Sequence, residues 1–330
     1  MAALKDRLGL AIRACLSIGV IAALAYNIGS KDIIAHFGAG VWPSLALATV
    51  ILAISVLLVT PRWAMILSVL GCRASWRELY GSVFLGFLFN QLLPTAVGGD
   101  VFRAWRAKQL GATWEVAIHS VIFDRGTGVL ISLIGAAILL PFAGFHKGGS
   151  ILEWIVGTTA ALVLAGVMVL WAFGRWRHAR LALLSGLHNR IIGLHDNAWA
   201  FVRRPRASAM IFLLAALNQM LPVAAVWIFA REMNIPLPAL DIALITFIAT
   251  LAATVPISVA GWGIREGTLV YLFGLYGIPP DAAFAVSILF GLALTLSATP
   301  GALVLLRGRP TPPPAEMLRD DHRPVDQTRS

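Results

Sequence analysis

The chain has 330 residues, 58% of them hydrophobic and only 13% charged, with a formal net charge of +10 and a mean hydropathy of +0.81. A soluble globular chain carries roughly 45–50% apolar and about 25% charged residues, so a fold built around a water-facing surface is excluded for most of this one. Its basic residues fall between apolar runs and not along one stripe, which argues against a nucleic-acid surface and for an oriented membrane protein facing anionic headgroups.

A spanning helix needs about 20 apolar residues at ~1.5 Å each. Six runs meet that length: Leu8–Tyr26, Val41–Thr60, Val116–Leu140, Ile151–Phe173, Ala207–Ala230 and Ala282–Leu306. In the first of these, Ala23-Leu24-Ala25 resembles a signal-peptide cleavage site. Cleavage would delete a member of the pattern described below, so the segment is expected to be retained.

Two further apolar stretches are broken at their middles. Leu79–Leu93 runs into Pro94 and Gly98-Gly99-Asp100, and the return arm soon meets Arg103 and Arg106. Leu240–Val255 runs into Pro256, Ser258 and Gly261-Trp262-Gly263, then a short arm, Ile264–Leu275. Proline with clustered glycine interrupts a helix, and open backbone at membrane depth is tolerated only against protein or a wet cavity. Both stretches, 79–108 and 240–275, therefore read as re-entrant hairpins. With the N-terminus inside, this layout places seventeen basic residues, Arg62, Arg103 and Arg106 among them, on the cytoplasmic side against three outside, Lys31, Lys147 and Arg231. Treating Leu79–Leu93 as a full crossing would spoil that asymmetry, which the positive-inside rule expects.

The same map contains a repeat. Val41, Leu79, Pro94 and Val116 recur as Ala207, Ile242, Pro256 and Ala282 at nearly constant spacing. The fold expected is an all-α polytopic membrane protein: six full transmembrane helices and two re-entrant hairpins in an inverted-topology repeat, as in secondary transporters. The first repeat takes residues 1–140 and the second 151–306. Segment 174–206 is a basic amphipathic cytoplasmic stretch, either lying on the membrane surface or packed as a linker helix. Residues 307–330, rich in proline and mixed charge, form a disordered cytoplasmic tail.

Ionisable groups within such a layout cost several kcal/mol unless paired or wet, and so default to functional candidates. The set is Asp100, Arg103, Asp124, Arg125, Arg265 and Glu266. Helix N-termini at the two breaks would offer backbone N–H groups to a phosphate, and Arg103, Arg125 and Arg265 would add charge-assisted bonds. The competing account is structural ion pairing within Asp124-Arg125 and Arg265-Glu266. Asn90, Gln91, Asn218 and Gln219 are simplest as interhelix hydrogen-bonding groups, His119 and Trp262 as packing residues.

Read in order, these residues resemble the lysylphosphatidylglycerol synthase transmembrane-region family, also called flippase-like membrane proteins. One block is Asn90, Pro94, Gly98, Gly99, Asp100 and Arg103, followed by Asp124 and Arg125. The other is Pro256, Ser258, Gly261, Gly263, Glu266 and Gly267. The resemblance covers about residues 5–306 and implies translocation of a lipid, such as an aminoacylated phospholipid. No segment like the soluble synthase of some members follows the sixth span, so that activity is not expected.

The expected function is a flippase-like transporter moving a lipid or a lipid-linked anionic headgroup across the cytoplasmic membrane, with both termini inside. The expected partners are membrane lipids and an enzyme that makes the cargo, not nucleic acid. No catalytic, metal-ligand or cofactor motif is found: Cys15 and Cys72 form no metal spacing, and the seven histidines form no paired motif. An integral-membrane lipid-modifying enzyme or a glycosyltransferase-associated subunit is the alternative.

Overall fold

A computed structural model describes residues 40–92, 98–144, 185–254 and 261–306, with a few isolated positions. The expected first and fourth spans, the tip residues Pro94, Pro256 and Ser258, and the tail lie outside the described residues. Among the described residues all regular structure is helical. The helices are α1 (Val41–Val69), α2 (Trp76–Leu92), α3 (Gly98–Gln109), α4 (Trp114–Leu139), α5 (Ser185–Val202), α6 (Pro205–Glu232), α7 (Ala239–Ala253), α8 (Ile264–Leu275), α9 (Pro280–Ser297) and α10 (Pro300–Leu306).

Among the described residues, four stretches are long and apolar enough to cross a membrane: Val41–Val69, Trp114–Phe142, Pro205–Glu232 and Pro280–Val304. They correspond to four of the six expected spans, with two differences. The second expected span ends at Thr60, but α1 continues through Pro61 and Arg62 to Val69. A single arginine does not end a helix when the apolar run resumes at once, and Trp63, Ile66 and Leu67 are fully buried. The sixth expected span is interrupted at Ala298 and Thr299, and a separate short helix starts at Pro300, because proline cannot supply the N–H that would continue α9.

Local chemistry sets the short connections. α1 ends at Gly71 (φ +90°) and α3 at Gly111 (φ +97°), where only glycine adopts the left-handed turn without strain. In each turn an amide reaches back to the last helical carbonyls: Cys72 N to Leu67 O and Ala112 N to Ala107 O. Thr113 then caps α4 by accepting the Val116 amide at 3.2 Å.

α1 and α6 run antiparallel along each other. Ser44 donates to Glu232 at 2.6 Å, Ser55 to Asn218 at 2.9 Å, and Arg204 to the Ser68 carbonyl at 2.8 Å. Around this pair, α1–α2 contact is matched by α6–α7, α2–α3 by α7–α8, α3–α4 by α8–α9, and α1–α4 by α6–α9. One apolar core joins α1 and α6 to α7, α8 and α9; a second joins the later half of α1 to α2, α3 and α4. The later part of α5 lies against α4 and α6, with Asn197 at 2.7 Å from His119 and the rings of Phe123 and Phe201 4.9 Å apart.

Candidate functional site

The site begins where α2 and α3 fold back on each other. Asn90 accepts a hydrogen bond from the Gly99 amide at 2.9 Å, satisfying one of the free N–H groups that open α3. At this crossing Gly99 lies against the Gly86 backbone so closely that a β-carbon on it would overlap the Gly86 carbonyl. Gly98 and Gly99 thus start a helix that must touch its neighbour backbone to backbone, and Asp100 follows in its first turn.

That register points Asp100 and Arg103 at α4 and the middle of α1. Asp124 is 2% exposed and Arg62, Arg103 and Asp100 between 4% and 7%. Both oxygens of Asp124 are used: Oδ1 accepts from Arg62 Nε at 2.7 Å and Oδ2 from Arg103 Nη2 at 2.7 Å. Arg125 Nε donates to Asp100 Oδ2. The guanidinium of Arg103 sits 4.5 Å from the centre of the Trp63 ring, whose indole N–H donates to Ser120 at 3.1 Å. The sequence neighbours Asp124 and Arg125 thus each make ion pairs with residues of other helices. Their chains leave α4 in different directions, and the bonds above cross over to α1 and α3.

The cluster leaves several polar atoms without hydrogen bonds. Arg62 Nη1, Arg103 Nε and Asp100 Oδ1 are buried and make no hydrogen bond, Asp100 Oδ1 having only the Arg103 Nη1 charge at 3.8 Å, and a buried polar atom left so costs about 1–3 kcal/mol, more for charged groups. All three residues line a cavity of about 260 Å³ with Asn90, Gln91, Asp124 and Arg125. At ~30 Å³ per water it holds roughly eight waters, or a phosphate-sized group. Its far wall is made by Asn218 and Gln219 of α6, and by Ala253 and Gly261 from either side of the second break. Its charged lining residues are three arginines and two aspartates, a formal excess of one positive charge. Asn218 accepts from Ser55, and Gln219 bonds to Ser132, the interhelix role expected of them.

The second break is built differently. Gly261 and Gly263 both have positive φ, +80° and +88°. Glu266 caps α8 by accepting the Gly263 amide at 2.6 Å, and its other oxygen takes Arg265 Nε at 2.9 Å. The Arg265 guanidinium lies between Trp262 and Phe290, 4.9 and 5.4 Å from the ring centres, and Gly267 closes the first turn by donating to the Gly263 carbonyl at 2.8 Å. Arg265 and Glu266 are almost fully buried and do not line the cavity. The fold thus gathers Asn90, Asp100, Arg103, Asp124, Arg125 and Gly261 at one place, with Gly98 and Gly99 setting the entry of α3, and leaves Arg265, Glu266 and Gly267 in a closed turn.

Arg62 and Trp63 are the members that the sequence reading missed. The signal was present in the apolar run that resumes directly after Arg62. Among the described residues, no three His, Cys, Asp or Glu side chains are grouped as a metal site requires.

The sequence pattern described as the lysylphosphatidylglycerol synthase TM region matches residues 9–301. The chain is similar to a UPF0104 membrane protein of Methanothermobacter thermautotrophicus, 26% identical over 286 residues, which cover 77% of this chain and 80% of the relative. It is also similar to a UPF0104 membrane protein of Methanocaldococcus jannaschii, 21% identical over 271 residues, covering 75% of this chain and 79% of the relative.

Proposed function

This chain belongs to the lysylphosphatidylglycerol synthase TM region family of multi-pass membrane proteins, and from that premise we propose that it is a transporter, not an enzyme, moving a lipid or lipid-linked molecule with an anionic headgroup across the cytoplasmic membrane. The observation that carries the reading is the pair of buried guanidinium atoms, Arg62 Nη1 and Arg103 Nε, left without hydrogen bonds beside a cavity with an excess positive charge. Donors left unsatisfied beside a cavity are costly, and a small shift of either side chain would turn them to an anion or water within it. A phosphate oxygen is the acceptor that guanidinium groups fit best.

The topology that goes with this function has six spans, both termini in the cytoplasm, and the pairs α2–α3 and α7–α8 entering from opposite faces. Two observations support it: corresponding helices α1 and α6 run antiparallel, and the contacts of one half recur in the other. Inverted repeats of this kind put the substrate between the halves near the midplane, a place that a cavity lined from α1, α2, α3 and α4 of one half and α6 of the other would serve. The natural partner is an enzyme that makes the cargo lipid.

Reconstitution into vesicles that hold a trace of phosphatidylglycerol or phosphatidic acid carrying a nitrobenzoxadiazole fluorophore on one acyl chain tests the reading. A membrane-impermeant reductant should bleach about half the label in empty vesicles and nearly all of it with the protein present. Bleaching that stays at half for both lipids, or recovery of chemically altered lipid, would overturn it, the latter in favour of a lipid-modifying enzyme.

A further inference from the structure

A second cavity of about 370 Å³ adjoins the charged one and shares Arg125, Gly128 and Gln219 with it. Its remaining wall comes from α4 and α7, including Val129, Thr250, Leu251 and Thr254. Among the described residues, Arg125 is its one charged lining residue. Its polar side chains are largely turned to their own partners: Gln219 to Ser132 and the Gly128 carbonyl, Thr254 to the Leu251 carbonyl at 2.6 Å. What it offers an occupant is mostly hydrocarbon and backbone.

Two features mark the passage between the cavities. A β-carbon built on Gly128 meets nothing within 4 Å, so this glycine is not there to admit a neighbouring helix; it leaves a gap. Arg125, with 45% of its side chain exposed, shares an outward stripe of α4 with Ile118 and Ile122. On a spanning helix that stripe faces acyl chains, and Arg125 carries its head, paired with Asp100, along that edge.

We infer that the second cavity is a chain slot: the cargo is an amphiphile that sits with its anionic end in the charged cavity and its hydrocarbon chain between α4 and α7, passing over Gly128 beneath Arg125. The inference rests on the anion-binding reading of the charged cavity and adds to it a side entrance and a requirement for a chain. A free phosphate would satisfy the first site and ignore the second.

The test compares octyl phosphate with inorganic phosphate as ligands of the purified full chain in maltoside micelles, read by thermal stabilisation. Val129→Trp fills the slot from α4, at a position that lines it and not the charged cavity. Its affinity for octyl phosphate should fall at least about tenfold, the worth of two buried methylenes, while its affinity for inorganic phosphate stays within about twofold. Thr254→Trp blocks the slot from α7 and should act in the same way. Octyl phosphate binding unchanged in both variants, or both probes weakened alike, would overturn the chain slot and leave the anion site standing. If neither probe stabilises the parent protein, the anion site itself is wrong and the slot falls with it; Arg103→Lys, expected to weaken both probes, marks that distinction.

Discussion

Arg62 and Asp124 lie 62 positions apart and meet across 2.7 Å, the Nε of one donating to Oδ1 of the other. Since Arg103 takes the second oxygen, one carboxylate balances two buried cations. Asp124→Asn keeps the size and removes the charge, and stripping the partner from a buried ion pair costs about 3–5 kcal/mol. It should lower the detergent melting temperature more than any other single change in the cluster. A variant that melts like its parent would mean that water already screens the cluster.

Arg125 tests recognition more than stability, because its head is half exposed while its Nε is tied to Asp100. Arg125→Lys keeps the charge and loses the planar, many-donor contact. Transport should fall about ten- to a hundredfold, the equivalent of roughly 1.5–3 kcal/mol for hydrogen bonds to a charged group, with melting unchanged. In the alternative, where the pair is scaffolding, Asp100→Ala and Arg125→Ala each lower melting and the double variant recovers it. Such a recovery would remove Arg125 from the binding site.

Gly99→Ala should be poorly tolerated although it adds one methyl group. The added carbon overlaps the Gly86 carbonyl, so α2 and α3 must move apart, and overpacking of this kind costs about 1–3 kcal/mol. Gly126→Ala on the open side of α4 is the control, because nothing lies within 4 Å and alanine gains about 0.5–1 kcal/mol of helix propensity over glycine. Melting curves of the two variants should shift in opposite directions.

Glu266 should matter for folding and not for cargo. It holds Arg265 and caps α8 through the Gly263 amide, so Glu266→Ala leaves a buried cation and a free N–H, again at about 3–5 kcal/mol. Expression and melting should drop, while the protein that survives should bind octyl phosphate with parental affinity. A selective loss of affinity with normal melting would return Arg265 to the cargo site.

Topology is accessible to cysteine labelling. Cys72 is a quiet background: it is buried, and burial pushes its thiol above the ordinary value, which slows its reaction with maleimides. In a Cys15→Ser chain, Lys147→Cys should react with an impermeant maleimide on intact cells, whereas Lys108→Cys should react only after permeabilisation. Reaction of both on intact cells would rule out a first hairpin entering from the cytoplasm.

The helices were legible because run length and breakers carry the information: an apolar stretch of spanning length, or a proline among glycines, declares itself without neighbours. The errors came where one residue stood for a boundary. Arg62 was read as a cytoplasmic end, yet it is the inward-facing charge of a longer helix. Thr299-Pro300-Gly301, a breaker of the same kind as the two that were recognised, was passed over inside the last span. The membership of the charged cavity was largely readable, since Asp100, Arg103, Asp124 and Arg125 all line it. Who bonds to whom was not. Partnering depends on the rotation of each helix about its axis: Asp124 and Arg125 reach across to Arg62, Arg103 and Asp100, partners that adjacency does not reveal, while Arg265 and Glu266 bond to each other.

The distance along the chain between Arg62 and its counter-charge has a meaning for biogenesis. When α1 leaves the ribosome, Asp124 has not been made, and a lone arginine in the bilayer is expensive. The nascent helix is cheapest with only its first part in lipid, up to about Thr60, and with Arg62 at the headgroups, where its long side chain is comfortable. Only after α4 has been synthesised can Arg62 exchange the headgroups for the Asp124 carboxylate. Inserting α1 and neutralising its arginine are then separate events, and the order of translation sets the interval between them.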